Sequence, residues 1–338
     1  MNASKKRFVA LGVAVGVGVC MATPASAKAV TLKLAHQWPQ AESDYVIATA
    51  IKFAQEVEKR SNGDIKIQFF PAESLVKASN THTALKNGAV DLAIYPYIYA
   101  AGAIPEMNLL LMPGVWKSHD DVFNFRTTAP WQKIEAKAEA YGFKTLSWIQ
   151  ISGGVASTKK PIVSSADVAG EKVRAAGKYM SYALQQAKAS TVSMPSSENY
   201  SAMQMGLLDA VWTSSSSFGA YRLYEVSKFY VSPEEYSIYY TIDPIAISMK
   251  TWNKLTPDQQ QILSEVGKSL EQSALEGAKN EDSRVAKLFA SNGVAVQQMT
   301  LEDWNQWHAL FEKYAFTKFK EDNPSDAALL DEILALYK

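Results

Sequence analysis

Apolar and polar positions alternate in two different periods along residues 30–95, which predicts a repeated strand and helix order. Residues 30–35 and 64–70 alternate apolar and polar side chains as strands do. Between them, residues 43–59 place an apolar side chain at every third or fourth position, as on a helix with one buried face. A third strand is predicted at residues 91–95. This order is typical of a mostly parallel sheet covered by helices.

A second region, residues 171–213, repeats the same alternation. The predicted elements are strand 171–176, helix 178–187, strand 191–194, helix 196–205 and strand 209–213. Residues 84–95 and 202–213 share a motif in which Ala and an apolar residue precede Gly, and Asp then opens a short strand. A glycine at this position ends a helix and redirects the chain, so that the next residues can enter a sheet as a strand. The repeat predicts two α/β lobes built on one plan.

Two long strands and one long helix are predicted to join the lobes. Residues 142–150 and 236–250 are each long enough to pass from one lobe to the other, so the two crossings form a hinge. A helix begins after Thr256, which forms a capping box with Gln259. If it runs to Ser291, it spans roughly 50 Å at 1.5 Å per residue, longer than one lobe is wide.

The N-terminal 27 residues have the composition of a signal peptide. Lys5-Lys6-Arg7 is followed by the apolar run 8–19, which is too short to span a bilayer, and cleavage is predicted after Ala27. The single cysteine, Cys20, lies in this segment, so the mature chain has no thiol. Lipid attachment at Cys20 is the alternative, but Val19 stands where lipid-modified signals usually carry a small residue.

Charge excludes two classes of partner. Removing the three basic residues of the signal peptide leaves 31 Lys and Arg against 34 Asp and Glu, a net charge near −3. Without a basic patch, neither nucleic acid nor an anionic membrane surface is expected as a partner. The predicted domains are signal peptide 1–27, lobe I 28–150 with a contribution from 237–338, and lobe II 151–236.

Arg174 is the candidate anion-binding residue. It lies in the first strand of the second lobe and is the only arginine between Arg126 and Arg222. Its planar guanidinium matches a carboxylate and stays charged at every relevant pH. The alternative is a structural arginine at a strand end, paired with a surface acid such as Glu171 or Glu198.

The residues that enzymes use are scattered. The four histidines, His36, His82, His119 and His308, show no metal-binding spacing. A Gly-x-Ser-x-Gly motif and a phosphate-binding loop are both absent from the sequence. An enzyme is therefore not expected, although an exported hydrolase with a carboxylate pair stays formally open because such pairs form only in the folded chain.

Five short fragments occur in one order: Gly88 to Asp91, Lys159 to Ile162, Ala169 to Arg174, Pro195 to Tyr200, and Gly206 to Asp209. With the signal peptide and the long late helix, they resemble the extracytoplasmic solute receptors of TRAP transporters, the DctP-type family, over essentially the whole mature chain. The resemblance implies a two-lobed periplasmic binding protein fold of the α/β class with hinge strands and a spanning helix. It also implies a periplasmic monomer that delivers a small organic acid to TRAP membrane subunits. A receptor that docks a periplasmic sensor is the alternative.

The resemblance assigns the carboxylate-binding arginine of the family to Arg174, and it places Trp212 and Thr213 at a strand end where ligand contacts usually occur. The predicted substrate-binding residues are Arg174, Trp212, Thr213, Gln150, Trp148, Tyr95, His36, Trp38, Ser196, Ser197 and Tyr239. Each has a competing structural role. Aromatic rings also pack in hydrophobic cores, and serines also cap the N-termini of helices. Because side chains alternate along a strand, only about half of the strand aromatics can face a cleft.

Two departures from the family pattern narrow the expected ligand. Trp212 stands where some members have an acidic metal ligand, so no metal or other cofactor is expected. Gly154 stands where some members have a second ligand-binding arginine, so a second carboxylate has no fixed partner there. The expected ligand is a small monocarboxylate, a hydroxy, keto or aromatic acid.

Overall fold

The computed structural model describes residues 29–337. The predicted signal peptide, its cleavage after Ala27 and the lipidation alternative at Cys20 lie outside the described residues. Within residues 29–337, no helix combines the length and the apolar character needed to cross a membrane.

Strands and helices alternate along most of the described chain. The strands are β1 (Val30–His36), β2 (Ile65–Phe70), β3 (Leu92–Ile94), β4 (Phe143–Ser147), β5 (Gln150–Ser157), β6 (Lys172–Arg174), β7 (Ser190–Val192), β8 (Ala210–Ser214), β9 (Phe229–Ser232), β10 (Tyr239–Ile242), β11 (Ile245–Ser248) and β12 (Ala295–Gln298). The helices are α1 (Tyr45–Arg60), α2 (Thr81–Asn87), α3 (His119–Phe125), α4 (Ala129–Tyr141), α5 (Lys178–Gln186), α6 (Asn199–Gln204), α7 (Ser215–Ala220), α8 (Met249–Trp252), α9 (Pro257–Ser291), α10 (Leu301–Phe311), α11 (Thr317–Asp322) and α12 (Ala327–Leu336).

The strands form two sheets, one in each lobe. The first has the order β2-β1-β3-β11-β4, with β1 parallel to β2 and β3 and with β11 antiparallel to its neighbours. The second has the order β12-β9-β5-β8-β6-β7, and β10 pairs with β5. The strand and helix alternation in the sequence therefore predicted the fold class correctly, and the two-lobed α/β fold is confirmed.

The hinge differs from the prediction in one respect. Each predicted crossing strand is divided into two, β4 with β5 and β10 with β11, and the links are Trp148–Ile149 and Asp243–Pro244. The Asp243 amide donates to the Ile149 carbonyl at 2.8 Å, which ties the links together. The division follows from the two sheets, because each half pairs with a different sheet. Pro244 also has no N–H to continue a ladder.

Helix α9 extends over both lobes, as its length predicted. Thr256 and Gln259 form the capping box at its start. Gly267 lies so close to the first lobe that a Cβ on it would be 2.0 Å from the Leu146 carbonyl oxygen. Further along, Phe289 packs on Tyr230 of the second lobe, with ring centroids 4.4 Å apart. One rigid element thus supports both sheets while the two short links connect them.

The chain after α9, within the residues 237–338 that were predicted to contribute to lobe I, also contacts the second lobe. Strand β12 pairs in parallel with β9 in the second sheet. Trp307 of α10 packs against Trp212 of the same sheet, with ring centroids 5.6 Å apart. The reason is geometric, because α9 ends against the second lobe, where Phe289 packs on Tyr230 of β9.

Candidate ligand site between the lobes

The lobes contact each other through the loops that follow their parallel strands. The Trp38 indole N–H, just after β1, donates to Ser217 Oγ at 3.1 Å. From the other lobe, the Ser196 amide donates to the Tyr99 phenol oxygen at 3.0 Å. The carboxyl ends of parallel strands are where α/β proteins place their ligand crevices. The candidate site is therefore the region enclosed by these contacts.

Arg174 is at the centre of the second-lobe side and is 1% exposed. Its Nε and Nη2 donate to the Met194 carbonyl at 3.1 and 2.9 Å, and Nη1 donates to the Trp212 carbonyl at 2.6 Å. Glu171, the acid proposed as its structural partner, instead lies near Lys159 and Lys160. Across residues 29–337, no Asp or Glu forms a salt bridge with Arg174.

The two carbonyls orient the guanidinium without neutralising it. Three of its five N–H groups are used by these bonds, which leaves two for another acceptor. A buried charge without a counter-charge is strongly unfavourable, so such groups are normally paired. The arrangement is therefore chemically suited to an anion with two adjacent oxygens, such as a carboxylate.

Local backbone geometry places this side chain. Arg174 is the last residue of β6, paired with Val192 on one side and Val211 on the other. Three residues later Gly177 has φ of 92°, a conformation that glycine adopts readily, and helix α5 begins immediately after it. The turn thus fixes Arg174 at the end of a buried strand, facing the other lobe.

A cavity of about 360 Å³ lies against Arg174 and is lined from both lobes. Its apolar lining includes Ile98 and Tyr99 of the first lobe and Met194 and Pro195 of the second. Lys178 also lines it, but the Lys178 ammonium lies 2.6 Å from Asp322. A mostly apolar cavity of this size with one fixed cation suits a small organic anion.

Three of the predicted aromatic contacts are packed in the cores. Ring centroids lie 5.3 Å apart for Tyr95 and Tyr97, 4.7 Å for Trp148 and Trp131, and 5.6 Å for Trp212 and Trp307. For these three rings the structure therefore favours packing in a hydrophobic core over contact with a ligand. Trp212 contributes to the site through its carbonyl, which accepts from Arg174.

Trp38 and Tyr239 lie at the interlobe face. Trp38 bridges the lobes through its indole N–H, as described above. Burial raises the pKa of the Tyr239 phenol, and the nearby Arg174 charge opposes that rise. Tyr239 is therefore close to the candidate carboxylate-binding group.

The remaining predicted polar residues differ in their surroundings. Burial lowers the pKa of His36, the last residue of β1, and its Nε2 lies 3.0 Å from Gln40 Oε1, so the ring is neutral near neutral pH. Ser197 Oγ donates to Glu73 at 3.3 Å, and Ser196 Oγ accepts from Ser217 at 3.4 Å. Both serines thus take part in contacts across or along the interface. Thr213 is 1% exposed in β8, beside Gly154 of β5.

Four buried side chains near the strand ends and the hinge have no hydrogen-bond partner for either polar atom among the described residues: Gln37, Gln150, Asn199 and Asp243. Gln150 was among the predicted site residues, and the other three were missed. A weak signal existed for each. Gln37 directly follows β1, Asn199 is in one of the family-like fragments, and Asp243 precedes Pro244 in the return segment.

Two acids also face this region. Burial, with a further contribution from Asp44, raises the pKa of Asp243 well above its ordinary value. Burial also raises the pKa of Asp44, whose carboxylate accepts a hydrogen bond from Ser216 across the interface. The described residues contain no group of three or more His, Cys, Asp or Glu arranged to hold a metal ion.

Gly154, where some family members carry a second arginine, has no room for any side chain. A Cβ on Gly154 would lie 2.0 Å from the Val231 carbonyl oxygen of the neighbouring strand. Gly153 is equally confined, since its Cβ would lie 1.8 Å from the Thr213 carbonyl oxygen. This part of β5 therefore presents only backbone to the site.

Comparison with known proteins identifies relatives over nearly the whole chain. The family model of the bacterial extracellular solute-binding proteins, family 7 (DctP), matches residues 34–322. A solute-binding protein of Albidiferax ferrireducens is 35% identical over 309 residues, covering 90% of this chain and 91% of that protein. The C4-dicarboxylate-binding periplasmic protein DctP of Rhodobacter capsulatus is 23% identical over 309 residues, covering 88% and 90%.

Solved structures give the same result. A TRAP periplasmic solute-binding protein from Rhodoferax ferrireducens, with bound malonate, has a TM-score of 0.87 at 35% identity and covers 90% of this chain and 98% of that one. One from a Sulfitobacter species, with bound β-D-galacturonate, has a TM-score of 0.81 at 21% identity, covers 91% and 99%, and supports the fold alone.

These matches confirm the family that the five sequence fragments predicted. Members of this family are receptors that bind small organic acids and work with TRAP membrane subunits. The chain belongs to family 7 of the bacterial extracellular solute-binding proteins, the DctP-type receptors of TRAP transporters.

Proposed function

We propose that this receptor captures a small organic monocarboxylate in the periplasm, a hydroxy, keto or aromatic acid, and delivers it to TRAP membrane subunits. In this proposal Arg174 forms a salt bridge with the ligand carboxylate. One observation carries it: Arg174 is 1% exposed, oriented by two carbonyls and without an acid partner among the described residues. A carboxylate would satisfy both the charge and the two remaining N–H groups.

The restriction to one carboxylate rests on the charges around the site. Arg174 is the only Lys or Arg buried among the described residues. Gly154 leaves no space for a second cation. A second carboxylate on the ligand would therefore find no second buried cation among the described residues to pair with. The malonate-bound relative makes this the point to test, because malonate has two carboxylates.

The proposed mechanism is capture without chemistry. Contacts such as Trp38 with Ser217 and Ser196 with Tyr99 form only when the lobes approach each other. A ligand that touches both lobes binds the closed form more tightly than the open one and so shifts the population towards it. The closed surface would then be recognised by the membrane subunits.

The first experiment is a thermal-shift screen of the purified mature chain against matched mono- and dicarboxylates, with and without chelator. A ligand present at about 100 times its dissociation constant should stabilise the protein by about 2.7 kcal/mol. Stabilisation by a monocarboxylate that chelator does not change is expected. A preference for dicarboxylates or a metal requirement would contradict the proposed ligand class, and no response to any acid would contradict the role of Arg174.

Delivery needs a second measurement. Membrane vesicles that contain the cognate TRAP subunits should take up the ligand found in the screen only when the loaded receptor is added. Ligand binding without stimulated uptake would separate a sensory role from transport.

A further inference from the structure

A second cation, Lys178, lines the interlobe cavity together with Arg174. Lys178 is the first residue of α5 and follows Arg174 by four positions, and both residues line the cavity of about 360 Å³. Arg174 is buried and Lys178 is exposed, so Lys178 stands where the cavity meets solvent. An ammonium group in this place is positioned to pair with the second carboxylate of a diacid. The group that already pairs with Lys178 therefore bears on the choice of ligand.

That group is the carboxylate of Asp322, the last residue of α11. The Lys178 ammonium lies 2.6 Å from Asp322 Oδ2, and the Lys318 ammonium lies 2.8 Å from Asp322 Oδ1. The hydrogen bonds from Lys178 and then Lys318 lower the pKa of Asp322, so its carboxyl is ionised at neutral pH. Each oxygen of the carboxylate is thus paired with one ammonium group.

Packing between α11 and α5 keeps Asp322 beside Lys178. Phe319 of α11 packs against Tyr179 of α5, with ring centroids 5.2 Å apart, and Asn323 Nδ2 donates to the Tyr179 phenol oxygen at 2.6 Å. A group held in place by the chain pairs with Lys178 without the loss of freedom that a free ligand undergoes on binding. A ligand carboxylate would therefore have to displace Asp322, or share Lys178 with it next to a like charge.

We infer that Asp322 is a specificity-determining residue, which occupies Lys178 and so makes the interlobe cavity discriminate against diacids. This inference rests on the proposed function, because Arg174 must hold the first carboxylate before a second one approaches Lys178. A methyl group or a ring in place of the second carboxylate needs no cation. Such a group would instead pack against the apolar lining, which includes Ile98 and Met194.

Pairs of acids in which a carboxylate replaces one methyl group test the inference. The probes are propionate against malonate, butyrate against succinate, and 2-hydroxybutyrate against malate, and isothermal titration calorimetry gives the ratio of dissociation constants in each pair. In the wild type, the monocarboxylate should bind more tightly in every pair that binds. Asp322→Asn keeps the shape of the side chain but removes its charge, which releases Lys178. The ratio should then shift towards the diacid by about threefold to fivefold, the effect of one exposed ion pair.

Two further variants connect that shift to Lys178. The double variant Asp322→Asn with Lys178→Met also removes the released ammonium group, so the shift should disappear. Asp331→Asn is the matched control, because Asp331 pairs with Lys320 at 2.6 Å in the same C-terminal helices and does not line the cavity. It changes the net charge by the same amount as Asp322→Asn and should keep the wild-type ratio.

Three results would overturn the inference: an unchanged ratio in Asp322→Asn, an equal shift in Asp331→Asn, or a shift that persists in the double variant. Failure of the proposed function looks different. In that case no monocarboxylate binds in a way that depends on Arg174, or the wild type prefers the diacids, and the inference falls with it. Arg174-dependent binding of a monocarboxylate with an unchanged ratio in Asp322→Asn contradicts only the role of Asp322.

Discussion

Two buried polar regions of the protein differ in how their hydrogen bonds are made. Around Asp282 of α9, Ser152 Oγ and Ser215 Oγ donate to the carboxylate at 2.7 and 2.5 Å, and His119 Nε2 lies 3.0 Å from it. We call these four residues the Asp282 cluster. It ties β5, α7 and α3 to the long helix, and every partner of its carboxylate comes from the chain.

The interlobe region shows the opposite pattern. Arg174 has no acid partner, and the amide or carboxyl groups of Gln150, Asn199 and Asp243 have no hydrogen-bond partners among the described residues. Native proteins satisfy most buried polar groups, so a concentration of unsatisfied ones requires an explanation. The comparison separates polar groups that stabilise the fold from groups whose partners are expected to come from outside the chain.

The largest predicted effect concerns the Asp282 cluster. Asp282→Ala removes the acceptor of three buried groups and should lower the free energy of unfolding by about 3 kcal/mol or more. Urea unfolding followed by circular dichroism measures this change. Asp243→Leu is the contrasting variant, because it removes a carboxyl without partners and should leave the stability of the free protein unchanged or higher. Similar losses in both variants would remove the distinction between the two regions.

Arg174→Ala should weaken ligand binding by about 1.5–3 kcal/mol, because it removes a charge-assisted pair from a site with little water. Arg174→Lys should recover only part of the loss, since an ammonium lacks the planar fork. Calorimetry with the ligand from the screen measures both. Arg126→Ala is the matched control, because Arg126 pairs with Glu271 at 3.0 Å and has no part in the interlobe region. Wild-type affinity in Arg174→Ala would show that the assignment of Arg174 is wrong.

The contact between Trp38 and Ser217 should have a smaller effect. Trp38→Phe keeps an aromatic ring and removes the N–H that donates across the lobes at 3.1 Å, so affinity should fall by about 0.5–1.5 kcal/mol. Trp304→Phe removes a similar bond, to the Ser237 carbonyl at 3.2 Å, away from the contacts between the lobes. That control should lose stability but not affinity. Equal affinity losses in both would argue against lobe closure as the cause.

The smallest predicted effect is a pH dependence that arises outside both regions. Burial raises the pKa of Glu135 from 4.5 to about 7, although hydrogen bonds from Thr145 oppose the rise. The native state therefore keeps this proton after the unfolded chain has lost it, and stability falls as pH rises from about 4.5 to 7.

Glu135→Gln should reduce that fall by on the order of 1 kcal/mol, a discounted value because the side chain is partly exposed. Urea unfolding of the wild type and the variant at pH 5 and pH 8 measures the difference. Parallel pH profiles would contradict the assignment of this proton to Glu135.

Local patterns in the sequence determined most of the secondary structure of this protein and identified its family. Alternation and helical spacing predicted both sheets, and the Thr256 capping box predicted where α9 begins. Five fragments predicted the family. These predictions succeed because secondary structure and caps depend on residues a few positions apart. Arg174 was selected in the same way, since an isolated arginine at the end of a strand is a local feature, and its role as the carboxylate-binding residue stays a prediction.

Only the tertiary structure decided which side chains face the other lobe. Trp148 and Tyr95 are core residues and Asp243 lies at the hinge, yet all three sit at strand ends with similar local sequence patterns. The pairing of β12 with β9 was likewise invisible to the sequence, because it joins residues more than sixty positions apart. Burial, pairing and unsatisfied hydrogen bonds arise from contacts between distant segments, and local periodicity carries no information about them.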